Sequence, residues 1–460
     1  MFSGSALGQF ETRAAFSLPG KAPSSATVGD FNRDGNLDLA VVSFLPTGTV
    51  SILLGNGDGT FRAGATYAVA VQPFIAAAAS LRNNGILDLI VSDSLSDDVY
   101  VMLGNGDGTF EPPVAYPTSG EPFVVRVGSL SSGGNLDIVA LAEPAAECDC
   151  VEVLAGNGDG TFGPAVVTPL PYGVDGLAMA TGHFTNSSAL DVAVTGQYGG
   201  ANQVDILLGN GDGGFQPHGY YSVVLSPYSV AAGNFTESGK ADLAVADDPG
   251  VDVLIGRGDG TFQEPVLYPT NFPTWVITED LYGNGKLDLA VSNASVTGYS
   301  SGVSVLKGNG DGTFQPAIFF PAGKQGTSVV AGDFNGDGKP DLVMVDVVSE
   351  AVITLLNTGI VAFSPTTPLN FGKQAVGTTS AAQTVTLTNT GTTKLKISSM
   401  KASAQFGMSS TCGSSVAPGA NCAISVTFSP KTQGAKSGTV TINDSASSRP
   451  QVIELSGTGT

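Results

Sequence analysis

Charge is scarce in this chain: Asp, Glu, Lys and Arg make up 13% of its 460 residues, about half the usual share. So small a supply excludes long solvent-exposed helices and coiled coils, which need a charged face. Basic residues are scarcer still, 19 Lys and Arg against 40 Asp and Glu, for a formal net charge of −21. Such a chain repels polyanions, which excludes nucleic acid and anionic membrane surfaces as partners and favours cations. The two His and four Cys leave little for a transition-metal site. Cys148, Cys150, Cys412 and Cys422 lack the paired CxxC spacing of a zinc ribbon. No apolar run is long enough to span a bilayer; the one near Phe74 to Leu81 is preceded by Gln72 and Pro73 and ends too soon. The opening MFSGSALGQF has no basic start and no apolar signal core, so export has to be argued from other features.

Glycine, by contrast, fills 62 positions, and much of it is periodic. GNGDGTF begins at Gly55, Gly104, Gly156 and Gly308, with GNGDGGF at Gly209 and GRGDGTF at Gly256. A second marker, D-x-N-x-D-G-x-x-D in its fullest form, starts at Asp30, Ser80, Ser129, His183, Asn234, Asp280 and Asp333. The spacing suits one four-stranded propeller blade per unit. Each unit reads as a strand before the acidic loop, one after it (Leu37 onward), one ending at GNGDG (Thr49 onward), and one after GTF. The predicted fold is all-β: a seven-bladed propeller over residues 1–360, then a β-sandwich over 361–460. The lone N-terminal strand AAFSLP is expected to complete the seventh blade, whose own strands stop at AVITLL, Ala351 to Leu356.

From Pro365 the repeat gives way to alternating strands such as Cys422 to Phe428, where Cys422, Ile424, Val426 and Phe428 share one face. This pattern predicts an immunoglobulin-like sandwich. Cys412 and Cys422 close a short loop, as a disulfide or as two buried thiols. On the repeated motifs, residues 8 to about 358 resemble the FG-GAP (VCBS-type) repeat family, which includes integrin alpha-subunit heads. The segment from LNFGKQAVGTTS to SGTGT resembles the choice-of-anchor D or ASH-like modules of secreted bacterial proteins. Together the resemblances imply an exported, bacterial binding or adhesion protein, secreted or at the cell surface.

Two acidic loops carry a full oxygen set for Ca2+, which takes six to eight oxygen ligands. They are Asp30, Asn32, Asp34, Asn36 (carbonyl) and Asp38, and Asp333, Asn335, Asp337, Lys339 (carbonyl) and Asp341. Asp280, Asn284 and Asp288 form a weaker set, with Tyr282 at the third position. The competing reading is a turn whose side chains cap its own amides. The final Asp persists in every unit (Asp38, Asp88, Asp137, Asp191, Asp242, Asp288, Asp341), which predicts a structural role beyond metal binding.

The Arg257-Gly258-Asp259 tripeptide is a variant of the repeated turn and carries no adhesive meaning here. With His183 and His218 the sole histidines and no GxSxG elbow, no nucleophile and base constellation is legible. Strand alternation puts the acidic loops and GNGDG turns on one rim and the other connections on the opposite rim. Tyr116, Tyr172, Tyr228, Tyr268 and Trp275 are the candidate ligand contacts there, for an extracellular protein or glycan, against packing between blades. The functional expectation is a calcium-binding adhesion or ligand-binding module that is not an enzyme. The alternatives are a surface-layer or filament subunit self-assembling through the sandwich, and, more weakly, a polysaccharide-degrading enzyme.

Overall fold

In the blades the apolar runs are cut by turns after four to nine residues, too few for a packed helix, and they fold as strands. The computed structural model describes all residues except 1–9, 14, 46, 132, 144–148, 172–174, 199–200, 296–299, 358–360, 365–368, 390–393 and 445–449. Among the described residues there is no helix. Two compact units form, one of Thr12–Leu281 with Lys286–Leu356 and the other mainly of Asn357–Thr460.

The larger unit is a ring of seven antiparallel sheets. In blade 1 the strands are Lys21–Gly29, Asp38–Leu45, Thr49–Gly55 and Phe61–Ala68, paired in that order. The second strand is buried on both faces by neighbouring blades, and in blade 2 all six residues of Asp88–Asp93 are buried. That explains why these strands read as unbroken apolar runs. First strands line the centre: each contacts the next, and Gly326–Gly332 of blade 7 meets Lys21–Gly29 of blade 1. The predicted closure is present. Phe16 and Ser17 pair with Val352 and Ala351, and the amides of Arg13 and Leu18 donate to the Thr354 and Glu350 carbonyls, both at 2.8 Å.

Adjacent blades are stitched at the repeated turns. Gly59 N–H donates to the Phe334 carbonyl at 2.9 Å, Gly108 to Phe31 at 3.0 Å, Gly260 to Phe184 at 2.9 Å and Gly312 to Phe235 at 3.0 Å. The phenyl ring closing each of these four turns meets the same neighbour edge to face, as in Phe110 with Phe31 at 5.6 Å between centroids. The first glycine of the motif is fixed by close approach: a Cβ on Gly55 would stand 2.2 Å from the Leu37 carbonyl oxygen, and one on Gly104 would stand 2.1 Å from that of Leu87.

The smaller unit packs two sheets. One holds Val361–Ser364, Gln383–Asn389, Asn421–Phe428 and Phe406–Ser410; the other contains Leu369–Gln374, Gln451–Gly459, Gly434–Asp444, Leu395–Ala402 and Ser415–Val416. Val385, Leu387, Ile424, Val426, Phe428, Val440 and Ile442 fill the space between, all fully buried. Cys412 and Cys422 form a disulfide with an S–S distance of 2.06 Å. By loop-closure entropy this link, 10 residues apart, contributes about 2–3 kcal/mol. Cys412→Ser with Cys422→Ser should therefore lower the melting temperature of the sandwich and leave the propeller transition unchanged in calorimetry.

Candidate functional site

The first acidic loop lies between the first two strands of blade 1, and its side chains are turned onto its own backbone. Asp30 accepts the amides of Asp34 and Gly35 at 3.1 and 3.0 Å, and Asn32 and Asp34 accept those of Asp34 and Asn36 at 2.9 and 2.8 Å. The Asn36 amide holds Asp34 below the usual carboxylate range. The seventh loop repeats this: Asp333 accepts from Asp337 and Gly338 at 3.0 and 2.7 Å, Asn335 from Asp337 at 2.9 Å, and Asp337 from Lys339 at 2.9 Å. Positively polarised groups approach the central carboxylates, with Asn32 Nδ2 at 2.9 Å from Asp34 and Lys339 Nζ at 3.6 Å from Asp337. Among the described residues no three acidic, His or Cys side chains converge as a metal cluster. The donors nevertheless form an all-oxygen set of the kind a hard cation takes. In the sixth loop the Asp280 amide donates to Glu279 at 3.3 Å and Asp288 accepts Gly308 N–H at 2.8 Å.

The recurring final Asp is a fastener. In blade 1 the two carboxylate oxygens of Asp38 accept Phe31 N–H at 2.9 Å and Gly55 N–H at 2.8 Å, tying the acidic loop to the repeated turn. Asp88, Asp137, Asp191 and Asp242 do the same in blades 2 to 5, where the acidic loops depart most from the full oxygen set. All seven are 0% exposed. Burial raises the Asp38 and Asp242 carboxyls even though these amides oppose it.

The candidate aromatics divide. Tyr228 is 52% exposed on the rim opposite the acidic loops, beside Leu225 at 51%. Tyr116 and Tyr268 instead pack between blades: Tyr116 is edge to face with Phe162 at 5.3 Å, and Tyr268 meets Phe314 at 5.5 Å and accepts its N–H at 3.2 Å. Each is a fourth-strand ring covered by the next blade's GTF phenylalanine, a neighbour that local sequence does not reveal. Tyr172 and Cys148 lie outside the described residues. Trp275 is half-buried, with the Arg126 guanidinium 5.9 Å from its ring centre. Cys150 is buried, and burial pushes its thiol up to about 12, which leaves it unreactive.

Below the exposed rim of blade 5 lie two acids that the repeat pattern does not single out. Asp247 and Asp252, 0% and 1% exposed, both accept Val224 N–H, at 2.8 and 3.3 Å, and Asp247 also accepts Leu225 N–H at 3.2 Å. Among the described residues Asp247 Oδ1 has no hydrogen-bond partner. Burial, reinforced by the Asp252 charge, pushes Asp247 up to about 7.

Comparison with known proteins agrees with this architecture. Residues 30–91, 234–291 and 280–344 match the FG-GAP-like repeat, and residues 358–452 match the ASH domain (Abnormal spindle-like microcephaly-assoc'd, ASPM-SPD-2-Hydin). Among solved structures the chain is similar to an Agrocybe aegerita lectin described by its recognition of non-reducing terminal N-acetylglucosamine. The identity is 19% and the TM-score 0.45, over 71% of this chain and 86% of that one. It is also similar to the ASH/PapD-like domain 7 of human CEP192, with 18% identity and a TM-score of 0.18 over 22% of this chain and 85% of that one. No curated protein matches it in sequence. The chain therefore carries FG-GAP-like repeats within residues 30–344, followed by an ASH domain over 358–452.

Proposed function

We propose that the propeller is an extracellular ligand-binding module, not an enzyme, whose ligand, a glycan or a protein, docks on the rim opposite the acidic loops. The partition of the two rims carries this reading. Large apolar side chains stand exposed on the connections of that rim, including Leu45 at 50%, Val71 at 61%, Phe74 at 38%, Leu95 at 53%, Leu225 at 51% and Tyr228 at 52%. Isolated exposed apolar groups are ordinary, but a set collected on one end of the ring suits desolvation by a partner. The opposite rim is given over to carboxylates and tight turns. Calcium at the Asp30–Asp38 and Asp333–Asp341 loops, with a weaker site at Asp280, Asn284 and Asp288, stiffens that rim; no helix among the described residues is long and apolar enough to cross a membrane.

Both parts are tested together. Calcium titrated calorimetrically into the metal-stripped protein should bind at two or three sites and raise the melting temperature, and Asp30→Ala with Asp333→Ala should abolish the two stronger ones. A glycan array and insoluble polysaccharides probed with fluorescent protein should give binding that Phe74→Asp with Leu225→Asp removes and the calcium-loop variant retains. Equal binding by the rim variant would overturn the choice of rim. Concentration-dependent polymers in light scattering would favour the surface-layer or filament reading, and turnover of acidic glycans would favour the enzyme.

A further inference from the structure

Arg126 and Trp275 belong to the first strands of blades 3 and 6, Glu121–Gly128 and Pro273–Glu279. Those strands line the centre of the ring, and blades 3 and 6 are not neighbours. A guanidinium 5.9 Å from the indole centre therefore reaches across the central channel. Both residues break the pattern of their positions. Trp275 opposes Ser292, and the register that aligns it puts Ser25, Val124, Ala178, Ser229 and Ser328 in blades 1, 3, 4, 5 and 7. Arg126 opposes Val139, where the other first strands carry Thr27, Ala77, Ala180, Ala231, Ile277 and Val330.

The electrostatics of Arg126 are unusual in so acidic a protein. Its Nη1 donates to the Val125 carbonyl at 2.9 Å, and among the described residues no carboxylate pairs with it. Enclosure by protein lowers its pKa to about 10, although the residue keeps part of its surface exposed. A guanidinium has five donors in a planar fork matched to oxyanions. Enclosing it without a counter-charge is unfavourable, and a bound anion would offset that penalty.

We propose that the channel holds an anion-binding site, in which Arg126 takes a carboxylate or sulfate group and the Trp275 indole covers the body that carries it. Trp275 lies nearer than Arg126 to the strand ends on the exposed apolar rim, so a ligand entering there meets the indole first and the charge second. The site does not depend on the rim reading above: a small anion could occupy the channel with no ligand on the rim.

Trp275 is the sole tryptophan of the chain, so intrinsic fluorescence reports this site alone. Emission is titrated with sodium sulfate, galacturonate and neutral galactose, with chloride holding ionic strength constant. The expected result is a saturable change with sulfate or galacturonate, none with galactose, and an apparent affinity about 10-fold or more weaker in Arg126→Gln. Arg126→Lys keeps the charge and loses the fork, and is expected to fall between the two. Melting curves establish that each variant is folded, and if Arg126→Gln is not, Arg126→Lys supplies the comparison. Saturation by both anions assigns recognition to the oxyanion, and saturation by galacturonate alone assigns it to acid and sugar ring together. No saturable change with either anion, an equal change with galactose, or unchanged affinity in the folded variants would overturn the proposal.

Discussion

Asp191→Ala is expected to cost the propeller about 3–5 kcal/mol, from several buried amides left without an acceptor. The carboxylate is fully buried and accepts Phe184 N–H at 2.9 Å, Thr185 N–H at 3.1 Å and Gly209 N–H at 3.0 Å. Alanine leaves these amides without an acceptor, at about 1–3 kcal/mol for each one that water cannot reach. Asparagine should recover little, because its amide group turns two donors toward donors. The control is Asp58→Ala at an exposed turn, where the Thr60 amide, bonded to Asp58 at 3.0 Å, can turn to water; about 1 kcal/mol or less is expected. Urea denaturation compares the two. A loss below about 1 kcal/mol for Asp191→Ala would show that the loops do not depend on their shared fastener.

A second large effect concerns pH. The Asp247 carboxyl, pushed up to about 7 beside Asp252, keeps a proton in the folded protein that the unfolded chain releases near pH 4. Between those values the folded state binds more protons, so stability falls as pH rises through the window and levels off above it. The melting temperature should drop by several degrees between pH 5 and pH 8. Asp252→Asn removes the neighbouring charge and should raise stability at pH 8 while flattening the slope. Asp38, Asp205, Asp242 and Glu279 are raised in the same direction by burial, so a residual slope is expected. A wild-type curve flat between pH 5 and pH 8 would contradict the proton retained on Asp247.

The architecture was legible because the repeat is written in residues with narrow backbone roles. Gly55 and its equivalents are required by the approach of turn to loop, and Asp38 and its equivalents by the amides they accept, so both recur wherever a blade does. The site was less legible. Tyr116 and Tyr268 have the spacing of exposed aromatics, and their burial comes from a phenylalanine in the next blade, some 46 residues away in each case. Arg126 sits in an ordinary apolar strand, and nothing within that strand signals that it faces Trp275 across the ring. Asp247 passes for a strand-end acid and Asp252 for a solvent-facing one until the register sets them on one face of adjacent strands. Contacts inside a blade follow from its own sequence, whereas contacts between blades depend on closure of the whole ring.

That closure has a mechanical side. Ala351–Asn357, the strand from which the chain leaves the propeller for the C-terminal unit, is hydrogen-bonded along both edges, to Asp341–Asp346 and to Phe16–Ser17. Tension arriving from the C-terminal side cannot peel it from a free margin. It must shear two ladders together, one made with the other end of the propeller's own sequence, so a pull on one end is shared at once with the other.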